Sequence, residues 1–131
     1  MYQIGGILIG GAVGALLRFL VANGVYQWLG RAFPYGTLAV NVIGSFLIGW
    51  LTLYFMEREM LASALSRGLI VGALGAFTTF STFSLDTFDL IQQGRLWGAG
   101  LNIGLNVGLC LLAVWLGVLV GRWVSSALAM L

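Results

Sequence analysis

The chain has 131 residues, 60% of them apolar and only 8% charged, with a formal net charge of +2. That charged share is about a third of what a soluble globular domain carries, too little to cover a water-facing surface, so composition leaves an integral membrane protein. With no histidine and a single cysteine, Cys110, disulfide scaffolds, zinc sites and haem ligation are set aside, and the six arginines, unaccompanied by lysine, are too scattered to address nucleic acid.

Four apolar runs are each long enough to cross about 30 Å of hydrocarbon at 1.5 Å per helical residue. They predict an all-α membrane protein with spans over residues 4–26, 35–56, 67–91 and 97–123, in one domain covering 1–131. The intervening stretches "GRAFPYG", "EREMLASALSR" and "QQGRLW" are short and hold the turn and charge signals, and aromatic residues such as Tyr26, Trp28, Tyr35, Trp97 and Trp123 sit where spans meet headgroups.

The first span begins at Ile4 with neither a basic leader nor a small-residue cleavage site, so it reads as a retained helix and not a signal peptide. Gly6, Gly10 and Gly14 form a small-residue ridge suited to close helix packing. Arg18 lies about four turns into this span. A guanidinium stays charged and must find acceptors, either as an anion attractor at a vestibule or as a partner of helix-end carbonyls.

In the second span Thr37, Asn41 and Ser45 recur every four residues, and in the fourth Asn102, Asn106 and Cys110 do the same. Residues four apart share a helix face, so each span bears one polar stripe. The stripes serve either as interhelical glue, at about 0.6 kcal/mol per bond, or as the lining of a polar path. Gly100, Gly104 and Gly108 lie on the face opposite the Asn stripe, about 200° away, and predict close packing there against a neighbouring helix.

The third span contains "GALGAFTTFSTFSLDTFD", where Gly72, Gly75, Thr78 and Thr79 weaken the helix and predict a break near 75–79. Freed carbonyls at such a break suit a hard cation such as Na⁺, and freed N–H groups at the start of the second half-helix suit an anion. Phe80 and Phe83 then point one way from that half-helix, with the positive ring edges that a small anion tolerates; core packing is the other reading of the pair. Asp86 and Asp89, three apart near the end of the span, read either as an ion site or as solvated interface residues.

Four spans place Arg58, Arg67 and Arg122 on one side and Arg31 and Arg95 on the other. So slight a bias permits insertion both ways up, and hence an antiparallel pair, as well as a single orientation.

At the residue level, "GAFTTFSTF", with "GTLAVNVIGSF" and Arg18 within "GALLRF", resembles the signature of the Fluc (CrcB) fluoride channels over essentially the whole chain. The resemblance implies four transmembrane helices with a break in the third, assembled as an antiparallel dual-topology homodimer with two fluoride pores in the bacterial inner membrane. It also implies a structural Na⁺ at the dimer interface, held by the backbone carbonyls of Gly75 and Thr78. Carried over by position, Phe80 and Phe83 are the pore phenylalanines and Asn41 the pore amide. Ser81 and Thr82 extend the polar track, which Thr37 and Asn106 join from the stripes, and Arg18 stands near a vestibule. The departure lies in span four: Asn102, Asn106 and Cys110 occur where the family often shows Tyr followed by Ser.

The implied activity is passive export of toxic fluoride, with no ATP motif and no enzyme chemistry. Two alternatives are a small dual-topology multidrug exporter, disfavoured because span one carries Arg18 and no acid, and a non-transporting membrane assembly subunit.

Overall fold

The computed structural model describes residues 1–130, and among them every regular element is helical. In chain order these are α1 (Tyr2–Leu29), α2 (Tyr35–Glu57), α3 (Ala64–Ser66), a π-helical segment (Arg67–Leu74), α4 (Gly75–Phe77), α5 (Phe80–Gln92) and α6 (Leu96–Ala129). Four stretches are long and apolar enough to cross a membrane: α1, α2, the composite 64–92 and α6. The protein is a multi-pass membrane protein. Helix α6 runs six residues past the expected end at 123, because "VSSALAM" has no Gly or Pro to stop it.

The turns follow from local chemistry. Helix α1 stops at Gly30, whose φ of 84° lies in the region an L side chain avoids, and Gly94, with φ 73°, makes the α5–α6 turn. Pro34 stands at the N-cap of α2, where a missing N–H costs nothing.

Two helix pairs organise the packing. Helix α1 lies against the π-helical segment through the expected ridge: a Cβ on Gly10 would collide with the Gly68 carbonyl, and one on Gly14 with the Ala73 carbonyl. Helix α2 lies against α6, where a Cβ on Gly117 would strike the Phe46 carbonyl and one on Gly49 the Val114 carbonyl. With no hydrophobic effect between helices in lipid, such backbone approach provides the van der Waals contact that drives association. Elsewhere α1 is lipid-like, with Ile4, Leu8, Ile9 and Leu16 exposed.

The fourth span turns its glycine ridge and its amide stripe in opposite directions. Nothing lies within 4 Å of a Cβ placed on Gly100, Gly104 or Gly108, so that ridge faces outward from the chain. The face α6 buries is the opposite one, where Asn102, Asn106, Ala113, Gly117 and Gly121 follow one another. Polar amides carry the larger penalty when left facing hydrocarbon, and so they take the interior.

The two arginine groups stand at opposite ends. Gln3 Nε2 donates to the Ala62 carbonyl at 2.9 Å, and the Ser125 hydroxyl donates to a Glu57 carboxylate oxygen. Together these gather the start of α1, the 58–67 connection and the end of α6. Arg31 and Arg95 share a cleft at the other end.

Because the α1 ridge meets main chain, Gly10→Ala is expected to lower unfolding free energy by about 2 kcal/mol. Its neighbour Gly11, with nothing within 4 Å of its Cβ position, is expected to accept Ala within about 0.5 kcal/mol. Denaturant unfolding in micelles distinguishes the two.

Candidate functional site

The site is built where helical hydrogen bonding stops. Helix α4 ends at Phe77, Thr78 (φ −83°, ψ 159°) and Thr79 (φ −153°, ψ 114°) are extended, and α5 starts at Phe80. Both threonines are β-branched, which favours such backbone, and their hydroxyls stitch the ends. Thr78 Oγ1 donates to the Leu74 carbonyl at 3.0 Å, and Thr79 Oγ1 caps α5 by accepting the Thr82 N–H at 3.1 Å.

An extended residue at membrane depth leaves main-chain groups that lipid does not satisfy. Asn41 of α2 supplies them. Its Oδ1 accepts the Thr79 N–H at 2.8 Å and its Nδ2 donates to the Thr79 carbonyl at 3.1 Å, as a neighbouring strand would. The diversion has a consequence for the previous turn. In an unbroken helix the Gly75 carbonyl would accept the Thr79 N–H, and the Thr78 carbonyl that of Thr82. Both donors are engaged elsewhere, by Asn41 Oδ1 and Thr79 Oγ1.

Beside this junction runs an open groove of about 400 Å³, lined by Asn41, Ser45, Thr78, Thr79, Phe80, Phe83, Asn106 and Cys110 among apolar neighbours. No charged side chain lines it. The rings of Phe80 and Phe83 have centroids 5.3 Å apart at 56°; Phe80 is 77% exposed and Phe83 only 8%. Behind them Asn41 Nδ2 also donates to Asn106 Oδ1 at 3.0 Å, and Asn106 Nδ2 donates to Asn102 Oδ1 at 2.9 Å. Amide and hydroxyl donors with aromatic edges can replace the water of a small anion without presenting a full positive charge.

Of the residues expected at a site, Asn41, Phe80, Phe83, Asn106 and Thr78 come together here. Ser81 and Thr82 sit exposed on the first turn of α5, bonded to Thr79 Oγ1 at 3.3 and 3.0 Å, and outside the groove. Gly75 is exposed next to the junction. Arg18 is half-buried on α1, lines none of the grooves described and has no hydrogen bond within the described residues.

Thr37, on the same stripe as Asn41, lies in a different environment. Its hydroxyl donates to Asp86 Oδ2 at 2.6 Å, with the Tyr26 hydroxyl 3.3 Å away. This cluster adjoins a polar cleft of about 200 Å³ lined by Tyr26, Arg31, Asp86, Asp89, Gln93 and Arg95, so the α2 stripe serves two places. The sequence marks Thr79 as a helix breaker but not as the residue whose main chain Asn41 clamps, and it does not mark Thr87, which bonds Asn102. The four-residue step from Phe83 to Thr87 is the available signal: it puts both on the buried face of α5, below the buried cap residue Thr79.

Residues 6–118 match the sequence profile of a family described as CrcB-like protein, Camphor Resistance (CrcB). The chain is 53% identical over 120 residues to a protein of Magnetococcus marinus named Fluoride-specific ion channel FluC, covering 92% of this chain and 98% of that one. It is 48% identical over 122 residues to a protein of the same name from Geobacter sulfurreducens, covering 93% and 98%. A third protein of that name, from Methylococcus capsulatus, is 54% identical over 116 residues; the match covers 88% of this chain and 51% of that longer one.

Removing the clamp tests its energetics. Asn41→Leu leaves the Thr79 N–H without a partner, while the Thr79 carbonyl keeps only its place at the start of the α5 ladder, and is expected to cost about 1–3 kcal/mol of stability. Amide hydrogen exchange at Thr79 should accelerate accordingly, while exchange in α1 changes little.

Proposed function

Since the chain belongs to the CrcB family, we propose that it is a fluoride-specific ion channel that lets toxic fluoride leave the cytoplasm down its gradient, seated in the bacterial inner membrane. The observation that carries this reading is the uncharged groove in which the Asn41 and Asn106 amides meet the Phe80 and Phe83 rings. Fluoride is small and strongly hydrated, so its passage needs several donors close together and walls that hinder larger anions.

In the resting chain the donors of Asn41 are engaged with the Thr79 carbonyl and Asn106 Oδ1. An entering anion exchanges these neutral acceptors for itself, which favours an ion that forms strong, charge-assisted bonds over a softer one. The ring edges of Phe80 and Phe83 then offer the weaker stabilisation that allows the ion to leave. No part of this cycle consumes ATP or moves a proton on a carboxylate.

The active unit in this reading is an antiparallel homodimer inserted both ways up. The near balance of Arg58, Arg67 and Arg122 against Arg31 and Arg95 supports it. A structural Na⁺ belongs to the same proposal, and the residues fit it: the Gly75 and Thr78 carbonyls have lost their helical donors, and carbonyl oxygen is the ligand a hard cation prefers. When bound, the ion would supply a fixed positive charge beside the junction. Arg18, unpartnered among the described residues, is proposed to attract anions towards a vestibule. The multidrug-exporter alternative needs an intramembrane carboxylate on the transport path, and the groove has none.

The test is flux from liposomes loaded with potassium fluoride, followed with a fluoride electrode on adding valinomycin, against a chloride-loaded control. Fast, valinomycin-dependent fluoride release with little chloride release is expected. The double variant Phe80→Ile, Phe83→Ile is expected to reduce the fluoride rate by about tenfold or more, equivalent to about 1.4 kcal/mol of barrier. Undiminished flux would remove the phenylalanines from the mechanism.

A further inference from the structure

One unbroken line of hydrogen bonds runs through three spans, and main-chain groups fix its direction at both ends. At its head is the Thr79 N–H, which can only donate, 2.8 Å from Asn41 Oδ1. Asn41 must therefore turn its Nδ2 onward, and it meets Asn106 Oδ1 at 3.0 Å. Asn106 passes its own Nδ2 to Asn102 Oδ1 at 2.9 Å and to the Asn102 main-chain carbonyl at 3.0 Å, and Asn102 passes its Nδ2 to Thr87 Oγ1, also at 2.9 Å. At the tail, the Thr87 hydroxyl donates to the Phe83 carbonyl at 2.8 Å, a group that can only accept. Reversing any one amide would set donor against donor or acceptor against acceptor.

We infer that Thr87 is a positioning residue for the pore: it holds the Asn102 amide directly and, from that end of the line, shares with the Thr79 main chain and the Asn102 carbonyl in holding the Asn106 and Asn41 amides, although it lines no part of the groove itself. The inference rests on the channel reading for its functional consequence and on the hydrogen-bond chain alone for its structure. Thr87 is buried at 7% exposure and absent from the groove lining. Its one proton is committed to Phe83, so what it offers Asn102 is a lone pair, and only the Nδ2 side of Asn102 can take it. Asn102, with 0% exposure, has no water to turn towards.

The chain also closes on itself. It leaves α5 at the Thr79 cap, passes through α2 and α6, and returns to α5 at the carbonyl of Phe83, whose ring lines the groove. Bonds that all run one way in a low-dielectric interior polarise one another, so a change at the tail reaches the head. A hydroxyl that merely bonded back within its own helix would be felt by Asn102 and no further.

That difference is measurable. The full chain, ¹⁵N-labelled at asparagine in micelles, has four side-chain amides; Asn23, bonded to the Phe19 carbonyl and to Arg31, is the internal control. Thr87→Val keeps the shape and deletes the hydroxyl. The NH₂ resonances of Asn102, Asn106 and Asn41 are expected to move while Asn23 stays, and Thr87→Ser is expected to return all three to their original positions. Fluoride flux should fall by about tenfold in the valine variant, the equivalent of one lost hydrogen bond, and recover in the serine variant. Movement of Asn102 alone, or failure of serine to restore the pattern, overturns the inference. Should the valine variant not fold, Thr87→Cys keeps a weak S–H and a weak acceptor in place and is expected to move Asn41 in the same sense by less; no movement of Asn41 overturns the inference equally. Absence of fluoride flux in the unaltered chain overturns the channel reading instead, and the amide resonances still decide the relay.

Discussion

The architecture depends on the pair of bonds by which Asn41 takes over the main chain of Thr79. Hydrocarbon offers no partner to an exposed N–H or carbonyl, so an extended residue inside a span requires another element to complete it. One carboxamide does this economically, since it has an acceptor and a donor side by side at peptide spacing. Everything that makes the groove follows from that substitution. The α5 half-helix begins with its own cap, Phe80 and Phe83 project from its first turn, and the carbonyls of the preceding turn lose their donors. With an apolar residue at position 41, the same threonines would be forced back towards a continuous helix or left unpaired.

Glycine and asparagine divide the remaining work between helix pairs. Where α1 meets the π-helical segment, the contact is backbone against backbone, with Gly10 and Gly14 under the Gly68 and Ala73 carbonyls. That contact fixes the half of the third span that ends at the junction. Where α2 meets α6, glycines close one end of the contact while Asn41, Asn106 and Asn102 occupy the other. The tight end holds the helices at a constant distance, and the polar end uses that distance. A carboxamide network tolerates little slack, since its bonds weaken over a few tenths of an ångström. The glycine contacts therefore support the site from a distance, without touching it.

Much of this was legible in the sequence, for stated physical reasons. The charge deficit and four apolar runs announce a membrane protein, and the four-residue steps of Asn41 with Ser45 and of Asn106 with Cys110 announce the faces that meet at the groove. The GAFTTFSTF stretch points to the place where the sheath of apolar residues gives way. Other features depend on three-dimensional choices that spacing does not encode. Thr37 shares a stripe with Asn41, yet Asp86 and Tyr26 lie within its reach, and so it joins the polar cleft at the helix ends. The Gly100 ridge carries the signature of close packing, but within the chain α6 has two faces and only one interior, the amides take it, and the ridge is left on the outer surface. Thr87 looks like an ordinary threonine in a helix; its role exists only because Asn102 arrives opposite it.

The carboxamides of span four follow the same reasoning. Hydroxyl donors rotate freely, each adjusting on its own. A carboxamide track cannot do so, since every amide that turns must turn its neighbour. Asn102 and Asn106 therefore exchange local freedom for collective order. That order requires anchors that cannot themselves reverse, and the anchors are the N–H of Thr79 and the carbonyl of Phe83. Both belong to α5 or its cap, the element that carries Phe80 and Phe83. The orientation of the donors and the placement of the rings are thus set by one closed circuit of bonds, and neither can be altered without the other.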